Sequence, residues 1–251
     1  MRIRWLTIFL DFPADGFDAG VAFWQAVTGS GLSSRRGEHG EFATLLPPSG
    51  DPWLRAQRAA DGPGGCHLDL HVDGPLDDAA AEAAALGARA RHREEGLTVM
   101  ESLSGFPFCL VGWDREAALP GPVHFPVPDG PATFANQLCL DIPPGEFARE
   151  SRFWTSLLGV QATVLGARSE FACLGTLPGT AVRVLLQRRD EAPPGDRTAG
   201  HLDVGCDRRL EATRLHVAAG ARVLAELPSW TVLADPAGRR YCLAPREPGR
   251  W

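Results

Sequence analysis

The chain has 251 residues, 44% of them hydrophobic, enough for two ordinary domains each with its own core. Its formal net charge is −6, and no run of Lys and Arg makes the basic patch expected of a nucleic-acid binder. No apolar run approaches the length that crosses a bilayer, and none of the six cysteines forms a Cys-x-x-Cys pair. The composition therefore predicts a cytoplasmic protein with free, buried thiols and neither nucleic acid nor membrane as partner.

The N-terminal MRIRWLTIFLDF has two arginines and a short apolar run broken by Asp11, without a small-residue cleavage site; it reads as a first strand, not a signal peptide. Leu6, Ile8, Leu10 and Phe12 alternate with Thr7, Phe9 and Asp11, the period of a half-buried strand. Phe17, Val21, Trp24 and Val27 recur at helical spacing up to Gly29. Strands are predicted at Phe42–Leu46 and Trp53–Gln57, followed by a loop at Asp61–Gly65. Then come a strand at His67–Val72, an alanine-rich helix over Leu76–Leu86 capped by Gly87, and strands at Leu97–Glu101 and Phe106–Val111. Residues 114–133 contain Pro120, Pro122, Pro126, Pro128 and Pro131, a composition that favours an extended linker without regular structure. This divides the chain into domains at 1–113 and 134–251, joined by the linker 114–133.

The second half follows the same order: strand Gln137–Ile142, helix Phe147–Leu158 with Gly159, and strands at Phe171–Leu174 and Val182–Gln187. From Gly200, Leu202, Val204 and Cys206 alternate with His201, Asp203 and Gly205. Leu210, Arg214 and Val217 then fall at helical spacing before Gly220. Asp235-Pro236-Ala237-Gly238 is a tight turn, so Trp230–Leu233 and Arg240–Leu243 should pair as a hairpin. The halves are a duplication. Phe23-Trp24 returns as Phe153-Trp154, and His67-Leu68-Asp69 as His201-Leu202-Asp203. The offset begins at 130 residues (Thr7 to Gln137) and ends at 133 (Cys109 to Cys242), far too long a period for a solenoid.

Strand, helix, then strands, carried by HLDVGC, AAGARVL and DPAGRRYCLA, resembles one βαβββ module of the vicinal oxygen chelate superfamily. That superfamily includes glyoxalase I, bleomycin-resistance proteins and extradiol dioxygenases, and the segments look closest to its glyoxalase-like branch. The resemblance implies an α+β fold of two tandem domains, each of two βαβββ modules forming a curved, half-open barrel with helices on the outside. It also implies a cup that often holds a divalent metal through His, Glu or Gln from the first and last strands of each module. Carried over, those positions are Thr7, Gln57, His67 and Cys109 in the first domain, and Gln137, Gln187, His201 and Cys242 in the second. Cysteine replaces the usual final glutamate in both domains, and none of the eight positions is a carboxylate. The set disfavours a bound divalent metal, whose candidate ligands are His67, His201, Gln137 and Gln187.

His67 and His201 are the candidate catalytic groups, as ligands or proton-transfer groups, against the plainer role of hydrogen-bonding across the sheet. His67, Asp69 and His71 share a strand face and can converge on one ion or ligand group, although Gly205 replaces His71 in the second half. Gln57, Asp69, His71, Gln137, Gln187, Asp203 and Trp230 are the candidate ligand-binding residues. Cys109 and Cys242 act as nucleophiles only beside a base, which His67 and His201 would supply. The expected function is binding of a small organic molecule or metabolite in the cup. The alternative is a lyase, isomerase or dioxygenase with a divalent metal held through His67 or His201. A further alternative makes the first domain a degenerate scaffold for the second. The duplication suggests a monomer with a pseudo-dimeric domain pair, or a homodimer.

Overall fold

The computed structural model describes residues 1–60, 62, 64–124, 127, 129–165 and 170–246. Residues 61 and 63 of the predicted loop, and 125, 126 and 128 of the predicted linker, lie outside them. Four βαβββ modules follow one another. The first has β1 (Arg2–Phe12), α1 (Phe17–Thr28), β2 (Gly31–Leu32), β3 (Phe42–Leu46) and β4 (Leu54–Arg58). The second has β5 (Gly65–Asp73), α2 (Leu76–Ala85), β6 (Arg89–Glu94), β7 (Leu97–Glu101) and β8 (Pro107–Gly112). After a two-residue β9 (Val123–His124), the third has β10 (Ala132–Ile142), α3 (Phe147–Leu158), β11 (Ala162–Leu165), β12 (Phe171–Leu174) and β13 (Arg183–Arg188). The fourth has β14 (Ala199–Cys206), α4 (Arg209–Ala218), β15 (Arg222–Glu226), β16 (Thr231–Ala234) and β17 (Arg240–Pro245).

The fold is α+β, with two open sheets ordered β2-β3-β4-β1-β5-β8-β7-β6 and β11-β12-β13-β10-β14-β17-β16-β15, and β9 paired to β10. The helix of modules two and four lets the last strand return parallel to the first, so β5 pairs with β8 and β14 with β17. The hairpin at Asp235–Gly238 forms with Leu233 opposite Tyr241, and the Gly238 N–H closes the turn on the Asp235 carbonyl at 2.8 Å.

Four features differ from expectation. β1 is covered on both faces, because Trp5, Thr7 and Phe9 are buried along with Leu6, Ile8 and Leu10. The linker contributes β9, whose Val123 and His124 pair with Thr133 and Ala132. The edge strands β2, β6, β11 and β15 were not predicted; β6 and β11 are exposed throughout and β2 and β15 in all but one residue, and an unburied strand has no apolar alternation to read. On α4 the apolar Leu210 and Val217 are 57% and 44% exposed, while Ala212, Thr213 and His216 face inward. His216 is turned inward because its Nδ1 lies 2.9 Å from the buried Tyr241 hydroxyl.

The chain condenses into two compact units. One comprises Met1–Ile8, Cys66–Ala117 and Leu138–Gly200; the other comprises Phe9–Gly65, Ala118–Gln137 and His201–Trp251. Each unit therefore joins modules from different repeats. In the first unit, Trp154 of α3 packs edge-on against Phe106 and Phe108 at 5.9 and 5.5 Å. Beside it the fully buried Glu150 carboxylate accepts the Trp154 indole N–H (2.8 Å), the Ser102 hydroxyl (2.9 Å) and the Ser104 backbone N–H (2.5 Å). In the second unit, Trp24 of α1 packs against Tyr241 at 5.1 Å and donates its indole N–H to Asp235 at 3.0 Å. Asp235 also accepts the Ala237 and Arg239 backbone N–H groups, each at 3.0 Å.

The acid has changed places between the units. Glu150 on the helix corresponds to Gly20, and Asp235 on the turn corresponds to Ser102. A Cβ at Gly20 would lie 2.1 Å from the Phe12 ring, and Phe12 corresponds to the smaller Ile142. Each unit thus buries one carboxylate against one tryptophan, with the space around it adjusted to the side from which the acid comes.

Glu150→Ala leaves three donors without their acceptor and should destabilise the protein by about 3–5 kcal/mol, read from the urea midpoint at constant m-value. Burial pushes His216 down to about 3 from an ordinary value of 6.5. The folded value lies below the unfolded one, so the unfolded chain binds the extra proton as pH falls from about 6.5 towards 3. Stability should then decline by about 1.4 kcal/mol per pH unit through that window. His216→Gln should flatten the change in urea midpoint between pH 7 and pH 5.

Candidate functional site

Strand alternation turns His67, Asp69 and His71 to the same side of β5, and the parallel register sets Asp69 opposite Cys109 of β8. His67 Nε2 and Asp69 Oδ1 are 3.8 Å apart, and one donor atom each from His67, Asp69 and Cys109 lie within 4.8 Å of one another. Asp69 and Cys109 are buried. His71 lies one step further, about 6.6 Å along the strand. Its Nε2 is 2.9 Å from the Thr7 hydroxyl and its ring meets Trp113 edge-on at 5.2 Å. Trp113 in turn stacks on Trp5 at 6.1 Å. The strand face thus divides into a His–Asp–Cys cluster and an aromatic end that holds His71.

The fourth module repeats the cluster. Asp203 of β14 is opposite Cys242 of β17. His201 Nε2 lies 3.3 Å from Asp203 Oδ1 and 3.6 Å from Cys242 Sγ. The other Asp203 oxygen accepts the Gln137 amide N–H at 2.7 Å, and the Gln137 oxygen accepts Arg246 at 2.9 Å. The Arg246 backbone N–H is anchored on the Cys206 carbonyl, which fixes its place at the end of β17. The guanidinium sets which way the Gln137 amide points, and the amide sets the carboxylate.

One ring nitrogen serves both His201 contacts. In a nucleophilic triad the acid holds the imidazole nitrogen opposite the one that faces the nucleophile. At His67, Asp69 and Cys109 nitrogen, oxygen and sulfur lie within 4.8 Å of one another, the spacing of a ligand set, while His201 Nε2 touches both Asp203 and Cys242. The eight positions carried over from the superfamily include no carboxylate, but Asp69 and Asp203 supply one to each cluster. An N, O and S set suits a borderline cation such as zinc better than magnesium. Cys206, on the opposite strand face, is a structural thiol: burial first, then Asp207, pushes it up to about 12.

The other candidates lie elsewhere on the sheets. Gln57 is half-buried on β4 opposite Phe42. Gln187 on β13 faces Phe171 and accepts the Cys139 thiol at 3.5 Å. Trp230 precedes β16, half-buried, with its carbonyl accepting the Leu227 N–H. Arg246 was not among the candidates; the available signal was its place in the repeat, where Trp113 is its counterpart.

A family model described as a glyoxalase-like domain matches residues 7–111 and again 137–244. The chain belongs to that family. No curated protein matches the sequence. Solved structures with this glyoxalase-like fold include 2,2',3-trihydroxybiphenyl 1,2-dioxygenase from Sphingomonas wittichii strain RW1, 16% identical, with a TM-score of 0.62 over 98% of this chain and 91% of that one. A Mn(II)-bound glyoxalase from Novosphingobium aromaticivorans is also 16% identical, with a TM-score of 0.65 over 97% and 82%. A catechol 2,3-dioxygenase is 13% identical, with a TM-score of 0.61 over 98% and 89%. At these identities the likeness is one of fold: tandem glyoxalase-like domains of the vicinal oxygen chelate type. Among the described residues, no helix is long and apolar enough to cross a membrane.

Gln137→Leu removes the amide donor to a buried carboxylate. It should lower stability by about 1–3 kcal/mol, measured as a shift in urea midpoint at pH 7.

Proposed function

We propose that this glyoxalase-like protein binds a small organic molecule or metabolite at its His–Asp–Cys clusters. One observation carries the reading: Arg246, Gln137, Asp203, His201 and Cys242 form a continuous polar chain on strand faces that a purely structural sheet would fill with apolar side chains. Free cysteines suit a cytoplasmic setting. The domain division we propose, 1–113 and 134–251 about the linker 114–133, is supported by family matches that stop at 111 and resume at 137.

A second reading, an enzyme of lyase, isomerase or dioxygenase type, rests on the convergence of His67, Asp69 and Cys109. These residues, and His201 and Asp203 in the second repeat, would hold a divalent metal. When bound, such an ion polarises oxygen atoms of a substrate as a Lewis acid. The chain's own contribution is orientation: Gln137 holds the Asp203 carboxylate in one rotamer, and Arg246 holds Gln137. The names of the structural neighbours, dioxygenases and a glyoxalase, agree with this class.

A thermal-shift screen of small metabolites against the native protein should yield ligands that raise the melting temperature. Their affinity should fall at least ten-fold in His201→Ala or His67→Ala. Ligands that bind both variants as they bind the native chain would place the site elsewhere. Titration with Co²⁺ should produce a thiolate-to-cobalt absorption band that disappears in the Cys109→Ser/Cys242→Ser double variant. A protein that develops no such band binds ligand without a thiolate-held metal, and the second reading falls.

A further inference from the structure

The first compact unit contains a cleft of about 560 Å³, within the range of small-ligand sites, lined by the turn Ser102–Gly105, the start of α3 and the segment before β14. None of its lining residues belongs to the His–Asp–Cys clusters. Four arginines face it: Arg89 and Arg91 from β6, Arg149 from α3, and Arg197. Arg91 and Arg197 share a single carboxylate, Glu101, and Arg149 pairs with Glu146 at 3.1 Å. Arg89 has no ion pair among the described residues. Asp196, also at the cleft, is taken by Arg189. The cleft therefore holds two guanidinium charges beyond those its own carboxylates balance, in a chain whose net charge is −6.

The equivalent place in the second unit is closed. There a Cβ at Gly16 would lie 2.8 Å from the Ala237 Cβ, so the turn rests directly on the segment before α1. In the first unit the counterpart of Gly16 is Glu146, and the adjacent Gly145 has nothing within 4 Å of its Cβ direction. Part of the charge is particular to this side, because Arg91 corresponds to Leu224 and Arg149 to Ala19, whereas Arg89 has Arg222 as its counterpart. The walls are preset. Buried Glu150 ties down Ser102 and Ser104, and Ser104 bonds Thr198 through both the hydroxyl (2.5 Å) and the backbone (3.0 Å). Arg197 lies over Gly105, where a Cβ would meet its Nε at 2.4 Å. Burial pushes Glu101 up, but its bonds to Arg91 and Arg197 outweigh this and hold it below the usual carboxylate range.

We propose that this cleft is a second binding site, for a small molecule bearing two anionic groups, carboxylate or phosphate. Arg89 meets one group. Arg91 and Arg197, held side by side by Glu101, meet the other through paired N–H donors. The fixed walls lower the ordering cost of binding.

Calorimetric titration of the full chain with pyrophosphate and, separately, citrate at constant ionic strength tests the proposal. Saturable 1:1 binding of at least one is expected, and the probe that binds identifies the group recognised. Arg89→Gln and Arg197→Gln should each weaken binding ten-fold or more, while Arg93→Gln, whose arginine pairs with Asp77, should leave it unchanged. Gly145→Phe fills the cleft at a position without backbone strain and should abolish binding without lowering the melting temperature. His201→Ala should bind the probe as the native chain does, which separates this site from the proposed cluster site. Failure of both probes to bind, or binding undiminished in Arg89→Gln and Arg197→Gln, overturns the proposal.

Discussion

One buried carboxylate in each compact unit governs how the two modules of that unit come together. It holds a helix tryptophan by its indole N–H and a turn from the other repeat by backbone or hydroxyl donors. A carboxylate taken out of water is stable only when its lone pairs are met by donors, and the tryptophan and turn donors meet that need here. Because Glu150 and Asp235 approach from opposite sides, neither unit can adopt the other's arrangement through one substitution. An acid at position 20 would run into Phe12, and removing Asp235 without adding it would strand the Trp24 indole. The two units share a backbone pattern but have settled on two incompatible solutions to the same packing problem.

The same contact positions the candidate clusters. Phe108, packed against Trp154, immediately precedes Cys109 on β8; Tyr241, packed against Trp24, immediately precedes Cys242 on β17. Successive strand residues point to opposite faces, so seating the aromatic residue on its helix aims the thiol at the other face. There the parallel register brings the thiol opposite Asp69 or Asp203. Helix packing, turn anchoring and donor placement are thus one linked constraint.

This explains which parts were legible in the sequence. The helices over Phe17–Thr28 and Phe147–Leu158, and the strands carrying His67 and His201, bury a regular face and therefore show a period. The edge strands β6 and β11 bury nothing, and β15 little, so they show none. α4 misleads because its inward residue is a histidine with a private hydroxyl partner, so a buried polar pair replaces the apolar stripe. In the sites, the two-residue spacing placed His67 with Asp69, but not the departure of His71 towards Thr7 and Trp113, which depends on residues far away in the chain. Arg246 was hidden for the same reason: Gln137, its partner, is 109 residues away.

The idea that the first repeat is a degenerate copy needs restating in these terms. His67, Asp69 and Cys109 have His201, Asp203 and Cys242 as their counterparts in the repeat. What has diverged is the support behind the donors. In the second repeat a guanidinium and an amide back the carboxylate, fixing its rotamer and partly offsetting its charge. In the first, Trp113 takes the place of Arg246 and stacks on Trp5, while Thr7, standing where Gln137 does, is engaged by His71. An aromatic end excludes water and lowers the local dielectric, whereas a guanidinium end adds a fixed positive charge. Two clusters of the same three residue types therefore sit in opposite electrostatic surroundings. This difference in setting, rather than the loss of any donor, distinguishes the two halves of the chain.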